Sequence, residues 1–347
     1  MSDVEVAQRA SSDRLRDSAA LRIVWLAVGC AVLVAVFCAA VAFGARGVSL
    51  SDIVGALDGD AASIGEARVV KRLPRAVLAI LIGAALALSG AAMQAVTRNP
   101  LADPGILGVS NGAAFAVVTG MVFFGLTNAT TKVFVAIIGA SLAAIFVYSI
   151  GSLGRGGATP LKLALAGAAT SAATMSLINA LILPRANVLS NFRFWQIGDV
   201  GGASWGRIGL VAPFLAAGAL ICLATARGMN SLALGDDVAR GLGENVGRTR
   251  ALASVGAVML CGAATAVAGP IGFVGLVVPH VCRLLIGVDH RWLLPFSALL
   301  GAALLVGADL VGRILVDGEQ LDVGIVTPLI GAPFFIWIVR RQKVREL

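Results

Sequence analysis

The chain has 347 residues, 58% of them apolar and 13% charged, with a formal net charge of +8; its mean hydropathy is +0.92. Roughly 200 apolar residues (58% of 347) provide for about ten crossings of a ~30 Å hydrocarbon core, at about 20 residues each. A soluble chain of this size has no means of hiding so much apolar surface, so a soluble enzyme, a secreted disulfide domain and a disordered chain are excluded.

Residues 1–20 form a polar tail in which Arg9, Arg14 and Arg16 lead, with Arg22, into the apolar run 21–44. A secretory h-region spans about 7–15 residues, so this longer run reads as an uncleaved spanning helix. Further apolar runs occupy 73–95, 105–125, 131–152, 161–183, 207–227, 250–269, 271–288, 292–314 and 323–340, with Gly and Pro at most junctions. The reading is an all-α polytopic membrane protein: a tail at 1–20, a ten-helix domain over 21–340, and a second tail at 341–347. An even number of spans puts both termini on one side.

With the termini in the cytoplasm, 17 of the 27 Lys and Arg residues fall inside and 10 outside, the sign that basic loops require. Half of the outside set, Arg46, Arg68, Lys71, Arg72 and Arg75, lies in one loop. Trp195, Trp205, Trp292 and Trp337 sit near span ends, as interfacial anchors do. No basic stripe carries interleaved aromatics, so nucleic acid is not an expected partner. Cys30, Cys38, Cys222, Cys261 and Cys282 all lie in apolar runs without CxxC spacing and read as small core residues. Leu88-Ser89-Gly90-Ala91-Ala92 resembles Leu260-Cys261-Gly262-Ala263-Ala264, a hint of two related halves.

No GxxxxGK[ST] occurs, so any ATP that drives transport is bound, with Mg²⁺, by another subunit, and no cofactor or metal is expected in this chain. Ion coupling usually needs an intramembrane carboxylate. The best candidate is Asp309, four residues before Arg313, where an i,i+4 ion pair is the simpler reading. An ion-gradient-driven secondary transporter using Asp309 is therefore the alternative function.

Four segments carry the remaining signals. In the loop 228–249, Leu234, Val238, Leu242 and Val246 recur at a spacing of four, one stripe of an amphipathic helix with Asp236 and Asp237 at its start. That stripe rests either on its own bundle or on a cytoplasmic partner. Arg72-Leu73-Pro74-Arg75 at the outer end of the second span fits an acidic partner or an anionic solute, or arginines snorkelling to lipid phosphates. Arg98-Asn99-Pro100-Leu101-Ala102-Asp103-Pro104-Gly105 breaks the chain between spans two and three. Gly108-Val109-Ser110-Asn111-Gly112 then opens the third span with polar groups, which line a cavity or allow close helix packing.

Together these segments resemble the permease subunits of ABC importers for iron–siderophore complexes, haem and cobalamin. The resemblance runs over nearly the whole chain from about residue 21. It is strongest at Arg72–Arg75, Asn99–Gly112, Leu234–Asp237, Gly269-Pro270-Ile271-Gly272-Phe273-Val274-Gly275-Leu276-Val277-Val278-Pro279-His280 and Gly331-Ala332-Pro333-Phe334-Phe335-Ile336-Trp337. It implies a BtuC-like bundle of ten helices in the cytoplasmic (inner) membrane, a second permease copy, two ATPase subunits and an extracytoplasmic solute-binding protein. The implied docking residues for that protein are Arg72, Arg75 and Arg313. The implied ATPase-coupling segment is Leu234, Gly235, Asp236, Asp237, Val238, Ala239, Arg240, Gly241, Leu242 and Gly243. The implied cytoplasmic gate is Asn99 and Leu101, with a second element at Thr159, Pro160 and Leu161, where some relatives carry hydroxyl residues instead. The expected cargo is a ferric siderophore, then haem, then cobalamin. His280 and His290 are expected to play structural roles.

Overall fold

The computed structural model describes residues 19–44, 47–56, 63–153, 159–315 and 320–341. Arg46, Arg155, most of the tail 1–20 and nearly all of 341–347 lie outside the described residues. Among the described residues every regular element is helical. In chain order they are α1 (Ala19–Ala42), α2 (Leu50–Gly55), α3 (Ile64–Thr97), α4 (Val109–Phe124), α5 (Ala129–Gly151), α6 (Pro160–Ile182) and α7 (Ala186–Ile197). Then follow α8 (Trp205–Ala224), α9 (Ala226–Ala233), α10 (Asp236–Gly241), α11 (Val246–Ala268), α12 (Val274–Ile286), α13 (His290–Ile314) and α14 (Val323–Arg341). A 3₁₀ turn at Pro104–Leu107 precedes α4.

Seven of these, α1, α3, α5, α6, α8, α11 and α13, are long and apolar enough to cross a membrane, and α4, α12 and α14 are shorter apolar helices. Each coincides with one of the ten expected runs. Their ends are set by side-chain caps: Ser63 and Glu66 form a capping box on α3, and Asn128, Thr159, Ser204 and Asp289 accept amide hydrogens at α5, α6, α8 and α13. Such caps satisfy backbone donors that the helix itself leaves unpaired.

The centre of the bundle is α3, whose 34 residues run for about 51 Å. It packs against α1, α11, α12 and α13. Apolar side chains gain little by leaving lipid, so close backbone approach has to supply the attraction. A Cβ on Gly83 would collide with the Gly301 carbonyl of α13, and one on Gly90 with the Gly275 backbone of α12. Polar bonds add to this seam: Ser89 Oγ donates to the Ala257 carbonyl of α11 at 2.6 Å, and Gln94 Nε2 donates to the Gly275 carbonyl at 3.2 Å.

Three departures from the sequence reading matter. The run 271–288 is a helix only over Val274–Ile286; 13 residues rise about 20 Å, short of a ~30 Å core. Gly269 (φ 72°) and Phe273 (φ 68°) turn the chain just before it, so α12 starts inside the bundle against Gly90. The run 105–125 likewise begins as a 3₁₀ turn and becomes α-helical only at Val109. Lastly, Cys222, Cys261 and Cys282 are buried as expected, but Cys30 and Cys38 are exposed on α1, so those two are not core residues. Only a small share of α1 is buried in the bundle.

Candidate functional site: charged nodes at opposite ends of the bundle

At one end lie the C-terminus of α3, the N-termini of α11 and α13, and the short helices α9 and α10. The segment 228–249 is not one amphipathic helix. Gly235 (φ 112°) and Gly243 (φ 82°) divide it, because both positions require backbone that side chains disfavour. The stripe divides with it. Val246 is buried with Leu232 and Ala239, tying the segment to its own bundle, while Leu234, Val238 and Leu242 are 62%, 51% and 65% exposed. The segment therefore rests on its own bundle through Val246, Leu232 and Ala239, and leaves Leu234, Val238 and Leu242 uncovered.

Asp236, the first residue of α10, holds this segment in place. It forms an ion pair with Arg98 at the end of α3 and accepts from Arg250 Nη2 of α11 at 3.2 Å. Arg240 Nη2 lies 4.0 Å away. Asp237 points fully outward and accepts from Arg240 Nη1 at 3.0 Å in a solvent-exposed pair. Nearby, Asp289 caps α13 by accepting the Arg291 amide at 3.0 Å, and it accepts Asn230 Nδ2 of α9 at 2.6 Å. Partial burial raises the Asp289 carboxyl, but those two bonds and the charges of Arg291 and Arg22 outweigh it and hold the group below the usual aspartate value. His290 is buried and hydrogen-bonded: its Nδ1 lies 2.7 Å from Asn230 Oδ1, which also accepts the His290 amide at 2.9 Å.

Arg98 also immediately precedes Asn99 and Leu101, the first expected gate element. It ends α3 in left-handed backbone at φ 50°. Asn99 Oδ1 then accepts the Leu101 amide at 2.9 Å and the Asn99 carbonyl accepts the Ala102 amide at 3.0 Å, a tight turn that leaves Leu101 exposed. Asp103 caps the 3₁₀ turn through Gly105 N at 2.8 Å; burial pushes its carboxyl up against that bond. At the second expected gate element Thr159 caps α6, Pro160 is its first residue and Leu161 is exposed.

At the opposite end the arginines expected at the outer face are not a free surface cluster. Arg72 Nη1 donates to the Val41 and Ala42 carbonyls at 2.9 and 3.1 Å, closing the C-terminus of α1. Arg75 Nε lies 2.8 Å from Asp309 Oδ1, and Arg313 Nε lies 3.0 Å from Asp309 Oδ2. The side chains of Arg75, Arg313 and Asp309 are 11%, 5% and 1% exposed. Arg75 also reaches Gln320 Oε1 at 2.7 Å and Asp199 at 3.7 Å. The expected Asp309–Arg313 pair is therefore present within a larger network. Spacing of four residues exposes that pair, but nothing local signals Arg75, Asp199 or Gln320 as its neighbours.

Seven apolar helices long enough to cross a membrane and three shorter ones, among the described residues, define an all-α polytopic membrane protein. The chain belongs to the FecCD transport family, whose pattern matches residues 32–341. It is 43% identical over 302 residues to the ferric enterobactin transport system permease protein FepD of Escherichia coli K12, covering 86% of this chain and 90% of that one. It is 40% identical over 279 residues to the hemin transport system permease protein HmuU of Yersinia pestis, covering 78% and 82%. Among solved structures, an ABC transporter chain of the metal-chelate type in an inward-facing conformation superposes with a TM-score of 0.79 at 30% identity, covering 91% of this chain and 98% of that chain.

Proposed function

We propose that this chain is the membrane-spanning subunit of an ATP-binding-cassette importer that moves an iron chelate inward, a ferric siderophore ahead of haem and cobalamin. Two copies enclose the path in the cytoplasmic membrane with all termini cytoplasmic. Two ATPase subunits bind ATP and Mg²⁺ beneath them, and an extracytoplasmic binding protein delivers the cargo from outside. ATP closes the ATPase pair, the 234–243 segment passes that motion on, and the gates at Asn99–Leu101 and Thr159–Leu161 open and close in alternation. The names of the relatives support the cargo order.

One observation carries this reading. A six-residue helix paired with Arg98 and Arg250 through Asp236 carries the exposed Val238, and the exposed Leu234 and Leu242 flank it, in a segment between the apolar helices α8 and α11. Exposed apolar groups grouped in this way mark a protein contact. At the other end, acidic groups of the binding protein compete with Asp309 and Asp199 for Arg75 and Arg313, and meet Arg72 beside them. The ion-gradient alternative needs Asp309 to take up and release a cation, whereas two guanidiniums already hold that carboxylate.

The test is mild solubilisation of a tagged chain, identification of co-eluting proteins and a vanadate-sensitive ATPase assay. A stoichiometric ATPase subunit, lost when Leu234, Val238 and Leu242 are all replaced by Ser, is the expected result. A chain that elutes alone without ATPase activity in several detergents overturns the proposal.

A further inference from the structure

We propose that Arg98 is a positioning residue that carries movement of the ATPase-docking segment to the Asn99–Leu101 gate through its ion pair with Asp236. The inference rests on the function proposed above and names a physical link within it.

Three observations place the link. Asp236 begins α10, the helix that carries the exposed Val238 and is flanked by the exposed Leu234 and Leu242. A push on these residues reaches Asp236 within a few residues of chain. Asp236 is shared between Arg98 and Arg250. Arg250 is buried near the start of α11 and anchors one side, which leaves the Arg98 side to move.

Arg98 itself is one of two non-glycine residues with positive φ among the described residues, the other being Phe273. Left-handed backbone is disfavoured for a residue with a Cβ and persists where its surroundings hold it. Here the Arg98 amide donates to the Ala95 carbonyl and the guanidinium is paired with the Asp236 carboxylate. Release of the pair frees the helix end to relax.

The chain after Arg98 is short and stiff. Asn99 bonds both the Leu101 and Ala102 amides, so a rotation at Arg98 displaces the exposed Leu101 side chain as part of one turn. The pair thus links a load-receiving helix to a gate-forming turn, across 138 residues of sequence. A salt bridge that only braced the fold would have no reason to sit at the single residue where α3 ends and the gate begins.

The experiment uses the full complex, co-purified with its ATPase and reconstituted in vesicles. The five native cysteines are replaced by alanine and Leu101→Cys is added. A bulky, membrane-impermeant maleimide is the probe, and its labelling rate is read without nucleotide and with ATP plus vanadate. In the parent a change of at least fivefold between the two states is expected. With Arg98→Gln the change falls below twofold, and Arg98→Lys restores at least half of it. Asp236→Asn added to Arg98→Gln reduces the labelling change no further.

If Arg98→Gln keeps the full change, the proposal is overturned and the importer reading stands. If Arg98→Gln instead loses the ATPase subunit or lowers the thermal midpoint, the pair is a structural brace and the proposal is again overturned. A parent chain without an ATPase partner overturns both readings.

Discussion

The Arg75 guanidinium and the Asp309 carboxylate stand 234 residues apart in sequence and 2.8 Å apart in the structure. Arg313 closes on the second oxygen of the same carboxylate at 3.0 Å. α3 and α13 are thereby tied near one end by charge and, at Gly83 and Gly301, by backbone contact. The two devices serve one purpose by different means. Close packing draws the helices together, and the ion cluster selects a single register for them. Arg75 extends the tie to Asp199 after α7 and to Gln320 before α14.

Removing Asp309 leaves two buried cations without their anion, a change that typically costs about 3–5 kcal/mol. Asp309→Ala is expected to lower the thermal unfolding midpoint of the purified chain sharply. Asp309→Asn, which keeps a hydrogen-bonding carbonyl, is expected to lower it less. Equal midpoints for wild type and Asp309→Ala would show that the cluster contributes nothing to the closed arrangement.

Gly90 offers a test of the other device. Its Cα faces the Gly275 backbone of α12 so closely that any Cβ collides with main chain, which cannot step aside as a flexible side chain can. Overpacking of this kind costs about 1–3 kcal/mol or more. Gly90→Val is expected to push α12 off α3 and cut the yield of folded protein in detergent, as seen by size-exclusion chromatography. Gly206→Val, where no atom lies within 4 Å of an added Cβ, is the matched control and should behave as wild type. Similar losses at both positions would remove the close approach as the cause.

The sequence made the ten apolar elements legible because a membrane imposes one length and one polarity on every crossing. It was less informative where that rule is relaxed. α12 and α4 read as full spans because Ile271 and Ile106 are as apolar as helix residues, and hydropathy does not record that Phe273 turns into left-handed backbone. α7 was missed altogether: Asn187, Asn191, Arg193 and Gln196 make Ala186–Ile197 too polar to read as a span. For the site, the stripe at Leu234, Val238 and Leu242 was visible in the spacing. The contacts of Asp236 with Arg98 and Arg250 were not, since they join residues 138 and 14 positions apart.

Asp289 fixes the start of α13 by capping it and by holding Asn230 of α9. Loss of a side-chain cap costs about 1 kcal/mol, so Asp289→Ala should lower the thermal midpoint at neutral pH. The folded carboxyl titrates below its usual value, despite partial burial, because Asn230, the Arg291 amide and nearby arginines favour its charged form. The native state therefore binds fewer protons than the unfolded one. The charge-dependent part of the stabilisation is present above the ordinary aspartate value of about 3.9 and is lost as pH falls through the lowered folded value. The gap between wild type and Asp289→Ala should narrow on acidification through that window. A gap that widens toward acid would refute the assignment.

Asp322 predicts the opposite sign. It lies just before α14, where burial first and the neighbouring Asp199 second push its carboxyl up, against the weaker pull of Arg75. The folded state then favours the protonated acid more than the unfolded chain does. Ionised Asp322 is a cost to the fold, present above the raised folded value and relieved as pH drops through it toward the ordinary aspartate range. Asp322→Asn removes the charge and keeps the shape. It is expected to raise the thermal midpoint at pH 7 to 8, and that advantage should vanish as the medium is acidified into the aspartate range. A midpoint below wild type at neutral pH would mean that the Arg75 charge outweighs burial and Asp199, and that Asp322 belongs with Asp309 as an anchor of the arginine cluster.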